Sequence, residues 1–341
     1  MSGALDAVGN ASSVHAEGRA AHAILDGARD RIAGALGVLA PMVVFTSGGS
    51  EANNQVIKGA PVTRLLVSAI EHPSVLEAAK ASARQVELIP VTGDGVVDLK
   101  GLERLLAGPR ALVSVMLANN ETGVIQPLRE VVTLAASHGA LVHTDAVQAV
   151  GKIPVNFGLL GVDYMTVSAH KLGGPMGVGA LILRDGATLT PLLHGGGQEL
   201  RRRAGTENLA AIAGFAASIE EKPFSAKALR DRLEQSLEAV VIVGRQAPRL
   251  PNTTCFAMPG LNAETLLMTL DLEGVAVSSG SACSSGKVAK SHVLDAMGLA
   301  PEIARAAIRV SLGWNTTADH IEHFIAAWRR ILARHHARAA A

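Results

Sequence analysis

Short apolar, β-branched runs alternate with helix-length stretches through the first two-thirds of the chain. The runs at 43–46, 65–70, 86–91, 111–117, 140–145, 164–168 and 178–183 read as strands. The stretches at 74–84, 99–106 and 128–137 read as helices between them. This alternation predicts an α/β layer, a mostly parallel seven-stranded sheet buried on both faces. Such sheets bind ligands at the carboxyl ends of their strands, so the loops leaving those ends are where chemistry is expected. The pattern changes after a Gly/Arg-rich passage at 194–208, a helix, and a polar stretch at 220–227. Strands at 240–243, 252–256, 275–278 and 308–312 then mix with helices at 263–272, 291–297 and 317 to about 338, which predicts a smaller α+β domain. The boundary falls at 224/225, giving a large domain, 1–224, and a small C-terminal domain, 225–341. The basic end of the last helix, including Arg330 and Arg334, is expected to be simply solvated and to complement the helix dipole.

Composition narrows the class. The 341 residues are 48% hydrophobic and 18% charged, with 31 Lys and Arg against 30 Asp and Glu. Such a chain buries a large core, which excludes disorder, and carries no basic footprint for nucleic acid and no polybasic membrane patch. No apolar run reaches the roughly 18 residues that span a bilayer. The first ten residues hold neither Lys nor Arg, unlike a secretory signal. Two cysteines, Cys255 and Cys283, exclude a disulfide framework, so a soluble cytoplasmic protein is expected. Neither cysteine has a CxxC or His-rich neighbour, and no metal site is expected.

Three loops carry candidate chemistry. FTSGGSEANN (45–54) runs from a strand end through two glycines into a helix. It suits either an anion site or a plain turn with an N-cap. Asp145 ends the run ALVHTD and would emerge at the ligand edge, as the carboxylate that keeps a pyridine-type ring nitrogen protonated or as an N-cap. Lys171, in SAHKLGGPMG, follows a central strand and reads as a solvated loop lysine or a Schiff-base lysine, with Ser168 and His170 beside it. A phosphate cradle, then an Asp, then a Lys, each at its own strand end, is the order expected of a pyridoxal-phosphate fold.

With the segments NASSVHAEGRA (10–20), EHPSVLEA (71–78), VSVMLANNETGVIQP (113–127), HTDAVQAVGKIPV (143–155), RAGTEN (203–208), VSSGSACSSG (277–286) and IRVSLGWNTT (308–317), the chain resembles the cysteine desulfurases of the class V aminotransferase group over nearly its whole length. The resemblance implies a fold type I transferase that uses pyridoxal 5′-phosphate and converts L-cysteine to L-alanine, with the sulfur left on Cys283 as a persulfide for a sulfur-acceptor protein. It also assigns residues. Lys171 would bond the cofactor, Asp145 would pair with the ring nitrogen, and His72 would stack over the ring. Gln148 and Asn120 would hydrogen-bond near the phenolic oxygen. Gly49, Ser50, Ser168 and His170 would hold the phosphate, with Thr206 supplied by the second copy of a homodimer. Arg309 would clamp the substrate carboxylate, suiting its bidentate fork. The same resemblance gives Cys283, in a Gly/Ser-rich loop, the role of nucleophile, whereas Cys255 in NTTCF is expected to pack in the core. The loop 194–208 is expected to cross to the partner copy, carrying Arg203 as well as Thr206.

The match departs from the family in two places. Members carry a short strand and an Asn/Ala-Thr-Thr loop ahead of the NASSVH segment, which the nine residues before Asn10 do not match, and Met176 stands where Lys is usual. The first departure raises the expectation of a catalytically impaired scaffold. A selenocysteine lyase, a sulfinate desulfinase and an aminotransferase stand as runner-up activities.

Overall fold

The computed structural model describes residues 1–7, 9–221, 225–279 and 290–339. Its first seven strands are β1 (Val43–Thr46), β2 (Arg64–Ser68), β3 (Gln85–Ile89), β4 (Leu112–Ser114), β5 (Leu141–Asp145), β6 (Tyr164–Ser168) and β7 (Gly179–Leu183). They form one sheet in the order β1–β7–β6–β5–β4–β2–β3. Pairing is parallel from β6 through to β3, and only β7 runs against the rest. All residues of β1, β2, β4, β5, β6 and β7 are buried, as expected of strands covered on both faces. The edge strand β3 is only partly buried, and its Glu87 takes Arg64 Nε of β2 at 2.7 Å. A charge pair at an edge discourages strand addition. The apolar run 111–117 extends past its ladder, with Val115 and Leu117 N–H donating to the carbonyls of His143 and Asp145. Ser168 of β6 pairs with Gly179 of β7, so the segment carrying Lys171 leaves and re-enters the sheet at one point.

The helix Ala16–Leu36, which no strong periodicity in the sequence marks, buries Gly18, Ala21, Leu25, Ala28, Ile32 and Leu36 at helical spacing. Two units are distinguishable: Met1–Ile89, Asp98–Leu117 and Pro127–Pro223 form the first, and Pro90–Val97, Ala118–Gln126 and Phe224–Ala341 the second. The second thus includes two excursions from the first half of the chain.

In the second unit β8 (Val241–Ile242), β9 (Thr253–Ala257), β10 (Ser278–Ser279) and β11 (Ala307–Ser311) form an antiparallel sheet ordered β10–β11–β9–β8. Helices Lys227–Ser236, Ala263–Leu272 and Ala318–Ala339 contribute Leu233, Leu266, Leu270, Phe324 and Trp328 to its core. Trp328 meets Phe256 of β9 edge-on at 5.4 Å, a geometry worth about 0.5–1.5 kcal/mol beyond buried area. The basic tail differs from the expectation of simple solvation: Arg330 and Arg334 both reach Glu273, at 2.7 and 2.9 Å.

Candidate active site

The carboxyl ends of β1, β2, β5 and β6 point the same way, and the polar residues of the first unit gather there. Asp145, the last residue of β5, is buried; its Oδ2 accepts from Asn53 Nδ2 (2.7 Å) and its Oδ1 from Val147 N–H (2.9 Å). Burial pushes its carboxyl up, while the Asn53 and Val147 donors and the nearby His72 pull it down. Asn53 Nδ2 also donates to Ser74 Oγ (2.9 Å), which lies 2.8 Å from His72 Nδ1. Asp145 and His72 are therefore two ends of one hydrogen-bonded chain running through Asn53 and Ser74. His72 also caps the helix Pro73–Lys80, its Nδ1 accepting from Ser74 N–H at 3.1 Å. That fixes Nδ1 as an acceptor and sets the ring plane.

Glu71 is completely buried beside this chain, and Met116 N–H donates to its Oε1 at 2.6 Å. Burial drives its carboxyl well above the ordinary value and the Asp145 charge adds to this, although the Met116 N–H works against it. Two neighbouring buried carboxyls do not both ionise readily, so the pair resists carrying two charges. Below them His143 joins Ser114 and Thr166 of the flanking strands, and full burial lowers its pKa to about 3, keeping it neutral.

After β1 the chain turns through Gly48, whose φ of +151° is a conformation reserved for glycine, into the helix Gly49–Gly59. The first N–H groups of that helix, including those of Gly49 and Ser50, have no intrahelical acceptors and favour an anion. A Cβ on Gly49 would stand 3.0 Å from Val147 Cγ2. Ser168, at the end of β6, lies 2.8 Å from His170 Nδ1. Lys171 follows in the turn Ala169–Leu172 and is exposed. His170 is held below its ordinary pKa by burial and by the charges of Lys171 and Lys152. Gln148, three residues past Asp145, accepts at Oε1 from Lys152 Nζ at 2.9 Å.

The loop expected to cross to a partner is strongly tied to its own chain. Glu199 takes Arg29 at 2.6 and 2.8 Å and Phe45 N–H at 2.8 Å, across a left-handed stretch at Glu199, Leu200 and Arg201. Arg203 donates to Glu51 at 2.8 Å within the chain, so its guanidinium is already committed. Thr206 lines a small cavity of about 70 Å3 with Ser47, Gly177 and Arg203.

The second unit holds Asn120 and Arg309. Asn119 Oδ1 ties this turn, accepting from Glu121 N–H and Thr122 N–H. Arg309, on β11 opposite Cys255, donates from Nη1 to Asn120 O at 2.7 Å. Its Nε and Asn120 Oδ1 are buried without hydrogen-bond partners among the described residues. Beside them Glu121 accepts from Ser291 Oγ at 2.5 Å. Burial raises the Glu121 carboxyl to about 7, against the Ser291 hydroxyl and the Arg309 charge. Cys255 is fully buried, and burial followed by the Glu121 charge pushes its thiol up to about 12. Cys283 lies outside the described residues.

Sequence reasoning does not single out Asn53, Ser74, Glu71, Glu121 or Lys152. A signal exists for Asn53, an amide one helical turn beyond Ser50 on the helix that starts at Gly49. Together the strand-end residues of the first unit can hold a planar, cationic heterocycle bearing a phosphate arm, with a buried carboxylate for the ring and an open helix start for the anion.

The family description "Aminotransferase class-V" matches residues 4–324. The chain belongs to the class V aminotransferase family, within its cysteine desulfurase group. It is 40% identical to the cysteine desulfurase IscS of Dictyoglomus turgidum over 96% of this chain and 88% of that one. It is 43% identical to a cysteine desulfurase of Cereibacter sphaeroides over 93% and 87%. A solved NifS-like protein from Rickettsia africae covers 97% of this chain and 94% of its own at 38% identity, with a TM-score of 0.89. The solved structure of SspA in complex with cysteine matches with a TM-score of 0.81 at 30% identity, over 92% and 95%.

Proposed function

We propose that the chain binds pyridoxal 5′-phosphate and removes sulfur from L-cysteine, giving L-alanine and a persulfide on Cys283. Asp145 carries the reading: a fully buried carboxylate at a sheet's ligand edge, pushed up in pKa by burial, is what a protonated ring nitrogen would stabilise. The remaining residues fit the same group. His72 offers a fixed imidazole plane, Gln148 an amide, and Ser168, His170 and the N–H groups of Gly49 and Ser50 a cradle for a dianion. When bound, the cofactor supplies an electron sink for the pair left as the substrate's α-proton departs.

Lys171 Nζ would bond the cofactor at rest and, once released by substrate, take the Cα proton. Arg309 would hold the substrate carboxylate with its fork, and Asn120 Oδ1, buried beside it, would accept from the substrate's amino group. The Cys283 thiolate would attack the substrate sulfur, forming an S–S bond while the Cβ–S bond breaks and its electron pair stays with carbon. Of the two cysteines, Cys255 is unsuited to this step, because a thiol at about 12 is un-ionised at neutral pH. We further read the protein as a cytoplasmic homodimer, where Thr206 serves the partner's phosphate, with a sulfur-acceptor protein relieving Cys283. No helix among the described residues is long and apolar enough to cross a membrane.

The test is to incubate the cofactor-loaded protein with L-cysteine and assay alanine and reducible sulfur. Equal amounts of both, abolished in Cys283→Ala while the visible absorption stays, support the reading. Alanine formation that survives Cys283→Ala would overturn it, as would no alanine at all.

A further inference from the structure

Gln148 and Lys152 are four residues apart on a run of tight turns, in which Val150 N–H donates to Ala146 O and Ile153 N–H to Ala149 O. That spacing stacks the two side chains on one face. Lys152 Nζ then lies 2.9 Å from Gln148 Oε1. An ammonium has only donors, so it must address the carbonyl end of the amide. The amide's two N–H donors are thereby turned the other way. A glutamine without such a neighbour can present either end to a ligand, because its two ends are nearly the same size and shape.

We propose that Lys152 is a positioning residue that locks the Gln148 amide with its N–H donors presented to the oxygen substituent of the bound cofactor's ring. This rests on the placement of Gln148 in the proposed function. The ammonium is half-buried and its charge also reaches His170, which places it on the side of the site where the anion cradle lies. A donor held against a ring oxyanion competes with the neighbouring cofactor nitrogen for that oxygen. It therefore lowers the pH at which the Lys171-bound cofactor loses its proton, and the visible absorption band reports that midpoint directly. Free to rotate, the amide would spend part of its time with the carbonyl against the oxyanion, and the midpoint would rise.

The experiment is a spectral pH titration of the cofactor-loaded wild type, Lys152→Met, Gln148→Ala, the double variant and Lys152→Arg. Gln148→Ala should raise the midpoint by about one pH unit, the tenfold that a hydrogen bond to a charged oxygen commands, and Lys152→Met should raise it by a smaller, measurable part of that shift, because the freed amide still donates part of the time. The double variant should match Gln148→Ala, because a residue acting only through another has no effect once that other is gone. Lys152→Arg, which keeps a donor and a charge, should stay near the wild type. An unchanged midpoint in Lys152→Met with a shifted Gln148→Ala overturns the proposal and leaves the proposed function intact. A further shift from Lys152→Met in the Gln148→Ala background overturns it as well, showing a charge acting at a distance. An unshifted Gln148→Ala overturns the placement of Gln148 and the proposal with it.

Discussion

Glu121→Gln should flatten the pH dependence of the second unit's stability. The Glu121 carboxyl is raised from its ordinary 4.5 to about 7, chiefly by burial, with the Ser291 hydroxyl and Arg309 opposing. A raised folded-state pKa means that the folded protein holds the proton more tightly than the unfolded chain. The stabilisation is complete below 4.5 and is lost as pH rises through about 7. At about 1.4 kcal/mol per pH unit the full span amounts to about 3 kcal/mol, most of it between pH 5 and 8. The Gln variant keeps an oxygen for Ser291 Oγ and loses the titration. Both tryptophans, Trp314 and Trp328, lie in the second unit, and Trp328 is fully buried, so urea unfolding followed by tryptophan fluorescence reads that unit. Across pH 5 to 8 the wild type should lose about 2–3 kcal/mol relative to Glu121→Gln. Parallel curves for the two proteins would refute the argument, because they would mean that Glu121 titrates alike folded and unfolded.

Other expectations concern the first unit. Glu199→Ala leaves Arg29 and Phe45 N–H without their shared acceptor and should cost about 3–5 kcal/mol in chemical unfolding followed by circular dichroism. Asp145→Asn should slow alanine formation by about 100-fold, the scale of losing a preorganised charge, while leaving the far-ultraviolet spectrum unchanged. Asn53→Ala removes one donor to Asp145 and should weaken pyridoxal phosphate retention by about tenfold in equilibrium dialysis.

Strand positions and strand-end chemistry are legible because buried parallel strands are written as continuous apolar runs. Asp145 closes one of those runs and Lys171 follows another, and their place at the ligand edge follows from topology rules alone. The helix Ala16–Leu36 is harder to see, because its buried face is largely Gly18, Ala21, Ala28 and Ala33, residues that hardly differ in hydropathy from their surroundings. The helix Lys227–Ser236 buries only Arg230 and Leu233, so it reads as a polar stretch. Hydrogen-bonded partners are illegible for a different reason. Asn53 and Asp145 are 92 residues apart, and Glu121 and Ser291 are 170 apart, so each pair is defined only after the chain has folded. Arg330 and Arg334 show the same limit, since Glu273, which they grip, lies on a different element of the second unit. Cys255 is legible as a core residue because a cysteine inside an apolar strand has few other fates.

The antiparallel pairing of β6 with β7 has a kinetic consequence for Lys171. Ser168 and Gly179 face each other across the ladder, and Ala169 N–H donates to Val178 O at 3.2 Å, so both ends of the lysine's loop are fastened to one spot. Within the loop Gly174 N–H donates back to Ala169 O at 3.0 Å, which shortens the free arc further. An amine on so short a tether explores a volume of a few residues' reach, an effective concentration of about millimolar or above. Under the proposed function, where Lys171 would bond the cofactor, its return or proton transfer would be a unimolecular step, so the bulk concentration of any outside amine would be irrelevant. Lengthening the arc with inserted glycines after Gly173 should slow that return in proportion to the dilution, while the strands that anchor it stay paired.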